Sequence, residues 1–263
     1  MDLALEAKVG QLLMVGYPRR EITPFLRNLI SEYNLGGVIH FARNVGELRR
    51  FAELNAELQE LAGRSPSGAP LFSAVDQEGG TIARLTQGLA VAPSAMALGA
   101  AGSPELNKQV CAAAACDLRA VGINMNLAPV VDVNSNPHNP VIGVRSFGED
   151  PHLVASLGAA AIQGYQRYLA AVAKHFPGHG DVDLDPHHHL PVLSHGRQRL
   201  EEIELVPFRA AVAAGVAGIM AAHVVFPALE SREKLPASLS PRVLTGLLRE
   251  ELGYEGLIIT DCM

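Results

Sequence analysis

The residues able to do chemistry concentrate in one stretch of this chain. It reads Lys174-His175-Phe176-Pro177-Gly178-His179-Gly180-Asp181-Val182-Asp183-Leu184-Asp185-Pro186-His187-His188-His189-Leu190-Pro191. Six of the ten histidines lie between His175 and His195, with three aspartates among them. Imidazole changes charge near neutral pH and pairs readily with carboxylates, so such a loop can move protons above a pocket. Composition alone equally allows a solvated, mobile loop that picks up metal ions. A metal-dependent barrel hydrolase draws His and carboxylate ligands from several strands, commonly starting with His-x-His on the first. The first expected strand, Gln11 to Tyr17, contains no ligand, so the reading is of no metal and no cofactor.

Those residues need elements to hold them. Apolar runs of strand length cover Gln11 to Tyr17, Gly37 to Phe41, Leu71 to Gln77, Ile123 to Val130, Ala170 to Phe176, Gly218 to Phe226 and Gly256 to Thr260. Helical periodicity fills the intervals, over Ile22 to Tyr33, Gly46 to Leu61, Pro104 to Val121, Pro151 to Leu169, Leu200 to Ala214 and Pro241 to Leu252. Ser103-Pro104 and Ser240-Pro241 are helix starts, a capping serine followed by proline at the first helical position. Strands that are apolar throughout and alternate with helices make a parallel sheet covered by helices. Seven such strands with six helices between them, in 263 residues, fit a TIM-type (β/α) barrel, whose catalytic rim lies where the strands end. The chain stops at Met263, just after the seventh strand, so the barrel is expected to be truncated there, with its last βα portion missing. No Pro/Gly/Ser-rich linker and no solenoid repeat divides residues 1–263, which read as one domain.

Composition excludes several classes of partner. Formal net charge is −6, and no basic run interrupts the chain, which argues against nucleic acid and against an anionic membrane surface. No segment approaches the roughly 20 uncharged apolar residues of a membrane span. The start, Met1-Asp2-Leu3-Ala4-Leu5-Glu6, lacks the basic and apolar regions of a secretory signal. Cys111, Cys116 and Cys262 are too few, and odd in number, for a disulfide framework, and the first two read as buried small hydrophobes on an alanine-rich helix. A reduced, cytoplasmic protein is expected; a partner subunit is neither indicated nor excluded.

The histidine-rich stretch, with Asp185-Pro186-His187 and Leu190-Pro191 closing it, resembles the signature loop of family 3 glycoside hydrolases of the β-N-acetylglucosaminidase (NagZ-like) type. The likeness extends along the chain in the family's order. Val75-Asp76-Gln77-Glu78-Gly79-Gly80 with Arg84 is similar to the third-strand motif, and Ala128-Pro129-Val130-Val131-Asp132-Val133-Asn134 to the fourth. Gly143-Val144-Arg145-Ser146-Phe147-Gly148 resembles a sugar-binding segment, Met220 to Pro227 the sixth strand, and Ile259-Thr260-Asp261 the strand bearing the nucleophile. Three departures stand out: Pro186 where the family usually has Ser, the extra His188-His189, and Cys262 where a second acid is usual.

The resemblance implies a retaining hydrolase of terminal, non-reducing β-linked N-acetylhexosamine. Such a reaction needs a carboxylate below the anomeric carbon and a proton donor above the leaving oxygen. The resemblance assigns the first role to Asp261, which would otherwise be a strand-end Asp capping a helix. It assigns the second to His187, oriented by Asp185, since a neighbouring carboxylate raises the pKa of a histidine and fixes its tautomer. Asp76, Lys174, His175, Arg145 and Arg84 are expected to bind sugar, Arg84 toward the leaving group. His223 is either pocket lining or a core histidine; His179 is expected to hold the Gly-rich turn, and Asp132 and Asn134 to steady the rim. The implied partner is a small β-linked amino sugar, a muropeptide of peptidoglycan recycling being the family's cytoplasmic case. A phosphorylase on the same scaffold, a family 3 β-glucosidase and an inactive sugar-binding barrel remain alternatives.

Overall fold

The computed structural model describes residues 3–183 and 190–263. A short helix α1 (Leu5–Gln11) leads into β1 (Met14–Gly16), and from there strands and helices alternate. The chain runs through α2 (Pro24–Ser31), β2 (Gly37–His40), α3 (Leu48–Ala62) and β3 (Phe72–Val75), then a small hairpin, β4 (Gln77–Gly79) with β5 (Ile82–Ala83). It continues through α4 (Ala95–Ala101), α5 (Pro104–Ala120), β6 (Met125–Asn126), α6 (Pro151–Tyr165) and β7 (Ala170–Phe176). The last part holds α7 (Arg197–Glu202), α8 (Leu205–Ala213), β8 (Gly218–Ala221), a π-helix at Arg242–Glu251 and β9 (Leu257–Thr260). Seven strands form one sheet in the order β1-β2-β3-β6-β7-β8-β9, every neighbouring pair parallel. This is the order of a TIM-type barrel up to its seventh strand.

Local sequence explains where the helices begin. Thr23, Ser103 and Asp150 each stand before a proline and accept a hydrogen bond from a backbone N–H of the first turn. A capping oxygen satisfies an orphan donor, and proline costs nothing where no N–H is needed. Ser240 likewise accepts from the Val243 N–H at 3.2 Å, although the helix after it winds as a π-helix. Small residues set helix spacing: a β-carbon on Gly164 of α6 would lie 2.4 Å from the Lys108 carbonyl of α5.

Side chains alternate across a strand, and that alternation makes two apolar layers. Between sheet and helices lie Val38, Val75, Ala171, Ala173 and Ile219, packed with the inner faces of α3, α5, α6 and α8. On the opposite face Met14, Ile39, Ala74, Met125, Val172, Met220 and Ile259, one from each strand, form a separate layer inside the curl. No helix of the described residues is long and apolar enough to cross a membrane.

Several boundaries differ from the sequence expectation. Leu12 and Leu13, expected in the first strand, are exposed, and Gln11 closes α1. The run Ile123 to Val130 forms a strand only at Met125 and Asn126, with Val130 pairing again as an isolated bridge to Lys174; Pro129 between them has no N–H to donate. Leu200 to Ala214 is two helices, interrupted at Ile203 and Glu204. Cys111 is buried as expected, but Cys116 is exposed, since five positions along a helix turn the side chain well off the buried face.

Candidate active site

Two residues beyond the inner apolar layer, the same face of the sheet turns polar. Asp76 follows Ala74 by two positions, Lys174 follows Val172, and Asp261 follows Ile259, so strand alternation alone aims these side chains into the mouth at the C-terminal end. Beside Lys174 the ladder between β7 and β8 shifts register, between Lys174 and Phe176, and His175 joins its neighbour in the mouth. The peptide bonds Ala128–Pro129, Lys174–His175 and Phe176–Pro177 are cis.

The β4–β5 hairpin supplies the next two groups. Gln77, buried at its base, accepts from the backbone N–H groups of Arg84 (2.7 Å) and Leu85 (3.0 Å) and donates to the Leu85 carbonyl (2.7 Å). Asn126 exchanges two hydrogen bonds with the Gln77 backbone, at 3.0 and 2.9 Å, tying the hairpin to β6. Thus anchored, the hairpin carries Glu78 and Arg84. Glu78 accepts from Lys174 Nζ at 2.7 Å and from Nη2 and Nε of Arg145 at 2.8 and 2.9 Å. Lys174 Nζ also donates to Asp76 Oδ1 at 2.7 Å, and Arg84 Nη2 stands 4.0 Å from Asp76 Oδ2.

Electrostatics follow from burial set against pairing. Burial pushes the Glu78 carboxyl up, but Lys174 and Arg145 outweigh it and hold its pKa at about 2. Burial pushes Lys174 down, yet Asp76 and Glu78 leave its pKa raised, and Arg145 is raised by Glu78 in the same way. These cations stay charged although Lys174 is only 3% exposed.

A second cluster lies beneath the turn after β7. Asp132, 0% exposed, places Oδ2 2.7 Å from His175 Nδ1 and accepts from the backbone N–H of His179 at 2.8 Å. Burial raises its pKa, but the charge of His175 and these hydrogen bonds bring it below the ordinary value. The turn lies hard against its neighbour: a β-carbon on Gly180 would sit 1.7 Å from the Val133 carbonyl oxygen, so only glycine fits. Asn139 donates to the His179 carbonyl at 2.8 Å, which ties in the segment leading to Arg145. The His179 ring lies 5.5 Å from that of His175, and burial followed by the charge of His175 lowers its pKa to about 4.

Asp261 closes the mouth at the end of β9. Its backbone N–H donates to the Ala221 carbonyl at 3.2 Å, and its Oδ1 accepts from the Cys262 N–H at 2.7 Å. Its Oδ2 lies 3.9 Å from His175 Nε2. Burial raises its pKa, but His175, the Cys262 N–H, Lys174 and His223 bring it below the ordinary carboxylate value. His223, set between Ser238 Oγ at 2.7 Å and the Cys262 carbonyl at 3.0 Å, is therefore rim and not core.

The structure brings together six of the residues singled out in the sequence: Asp76, Arg84, Arg145, Lys174, His175 and Asp261. Asp185 and His187 lie outside the described residues. Two residues central to the arrangement were not among the expected site residues. Glu78 sat inside a recognised motif, but its partners are 67 and 96 positions away; Asp132 was expected only to steady the rim. Among the described residues no three His, Cys, Asp or Glu side chains are grouped to hold a metal ion. An ionised carboxylate beside paired cations and a half-free acceptor, Asp76, can bind a ring rich in hydroxyls and attack an electrophilic carbon.

Comparison with known proteins gives this arrangement a family. The chain is 40% identical over 257 residues to β-hexosaminidase A of Pseudoalteromonas piscicida, an alignment covering 92% of this chain and 43% of that protein. The solved family 3 β-N-acetylglucosaminidase from Paenibacillus sp. FPU-7 superposes with a TM-score of 0.96 at 52% identity, covering 99% of this chain and 49% of the other. NagZ from Neisseria gonorrhoeae, solved in complex with N-trifluoroacetyl-D-glucosamine, superposes with a TM-score of 0.87 at 32% identity, covering 95% of this chain and 74% of that one. The chain thus spans about half the length of the first two relatives. With residues 4–263 matching the glycosyl hydrolase family 3 N-terminal domain, the chain belongs to that family.

Proposed function

We propose that the protein is a retaining β-N-acetylglucosaminidase, with its catalytic apparatus in this one barrel domain. One carboxylate oxygen of Asp261 attacks C1 of a terminal β-linked N-acetylhexosamine while the leaving oxygen takes a proton from His187, giving a covalent glycosyl-enzyme. Water then attacks C1, His187 takes its proton, and Asp261 is released. Asp185 orients His187; Asp76 accepts from sugar hydroxyls, Lys174 and His175 donate to them, and Arg145 and Arg84 line the wall. The observation that carries the reading is Asp261 itself, a partly exposed carboxylate at a strand end, kept ionised by its neighbours. The activities in the relatives' names support the amino-sugar part of it, as does the glucosamine derivative in the Neisseria complex. A muropeptide of peptidoglycan recycling is the substrate we favour, in the cytoplasm, where three free thiols are at home.

Hydrolysis of an aryl β-N-acetylglucosaminide compared with the aryl β-glucoside tests the reading. The amino sugar is expected to be cleaved far faster, with release of the β-anomer. Preference for the glucoside, or cleavage that requires phosphate, would overturn it.

A further inference from the structure

We propose that Asp132 is a positioning residue for the nucleophile: acting through His175, it fixes which edge of that imidazole faces Asp261. The proposal rests on the reading of Asp261 given above. Asp132 is an acceptor at both oxygens, so the His175 nitrogen 2.7 Å from it, Nδ1, carries the hydrogen. The opposite edge, Nε2, is thereby left facing Asp261 Oδ2 at 3.9 Å and Arg145 Nη2 at 3.5 Å. The same carboxylate also accepts from the His175 backbone N–H at 3.2 and 3.3 Å, so it holds the main chain and the ring edge together. The row Asp132, His175, Asp261 thus passes from a fully buried carboxylate, through an imidazole, to the carboxylate exposed in the mouth.

The other groups around Asp261 are already engaged. Lys174 is held between Asp76 and Glu78, and His223 lies between Ser238 and the Cys262 carbonyl. The Cys262 N–H fixes Oδ1 but leaves Oδ2 to His175. Around His175 stand Asp132, Asp261, Arg145 and His179; Arg145 Nη2 reaches Nε2 at 3.5 Å but is held more closely by Glu78, at 2.8 Å. Among the described residues Asp132 is therefore the group that sets the orientation of the imidazole facing Asp261.

Asp132 also braces the turn through the His175 and His179 N–H groups, and a purely bracing role is the competing explanation. Asp132→Asn separates the two. Its amide oxygen can still accept from the backbone, while its NH2 faces Nδ1 and enforces the other tautomer. The same exchange in a Ser-His-Asp triad costs about 10⁴-fold. In the folded variant kcat/KM is expected to fall by at least about 10²-fold, and its acidic limb to move, because the edge of His175 that faces Asp261 changes from acceptor to donor. In a His175→Gln background the same substitution is expected to add little, since the two act in series. An unmoved acidic limb, or losses that multiply in the double variant, would overturn the proposal. Should Asp132→Asn not fold, His175→Gln must move the limb by itself; if it does not, the proposal is wrong. Labelling the unsubstituted protein with a fluorinated sugar keeps the two failures apart. Label missing from Asp261 removes the nucleophile reading, whereas label on Asp261 with an unmoved limb removes only the role of Asp132.

Discussion

Strands β7 and β9 both deliver charged side chains to the mouth, yet they hold them by opposite means. β7 is paired on both sides, and six of its seven residues are buried. Its Lys174 ends in a closed set of ion pairs with Asp76 and Glu78. β9 pairs only with β8 among the described residues, none of its four residues is buried, and the Asp261 side chain is 25% exposed. Asp261 is held by one ladder hydrogen bond, one N–H from Cys262 and a nearby imidazole. Lys174, which we propose binds the sugar, is thus part of the folded core, while Asp261, the proposed nucleophile, is a lightly held appendage of it. Stability and activity should therefore separate between the two strands.

Asp261→Asn breaks the comparison most sharply. Turnover is expected to fall by roughly 10⁴-fold or more, the scale of losing a covalent nucleophile. Unfolding free energy, read by denaturant titration, should move by less than about 1 kcal/mol, as for a partly exposed isosteric change. A large loss of stability would show that β9 is held as tightly as β7. Glu78→Gln is expected to do the reverse. It leaves Lys174 and Arg145 without the buried carboxylate they share, and breaking such a set costs about 3–5 kcal/mol. KM should rise more than kcat falls if, as proposed, these groups bind the sugar and do not react. Unchanged stability would mean that Asp76 alone suffices for Lys174.

The smallest effect concerns a buried row of side chains under the first three strands. Tyr17 Oη, His40, Ser73 Oγ and the Asn55 amide are linked in sequence, with 2.7 Å at each step. Burial lowers the His40 pKa from 6.5 to about 4, with the hydrogen bond to Asn55 opposing. The unfolded chain therefore binds the proton more readily. The stabilisation is complete above pH 6.5 and is lost as pH falls from there toward 4, a range worth on the order of 3 kcal/mol. His179 titrates across the same window, so His40→Gln should reduce the slope of stability against pH there without abolishing it. Thermal melting between pH 4 and 7 reads this directly, and an unaltered slope would remove His40 from the account.

The sheet was legible because strand alternation and helix caps are local. The seven apolar runs each contain one strand, and Asp76, Lys174 and Asp261 fall on the inner face by counting in twos. The strand lengths were less legible: Leu12 and Leu13 look like strand residues until the turn after α1 leaves them outside. Arg145 and His175 were found through their motifs, whereas Glu78 and Asp132 act only on residues distant in sequence. Glu78 matters because it is buried between Lys174 and Arg145, and Asp132 because it is buried against His175 and the turn after β7; no local pattern encodes either.

The inner layer of Met14, Ile39, Ala74, Met125, Val172, Met220 and Ile259 has a further consequence. A floor of apolar side chains responds weakly to charge, so the electric field of the charged groups above it spreads little downward and emerges through the mouth. An approaching ligand meets that field from one direction only. The side chains that look like mere filling thus act as an insulator, giving the charged rim its direction.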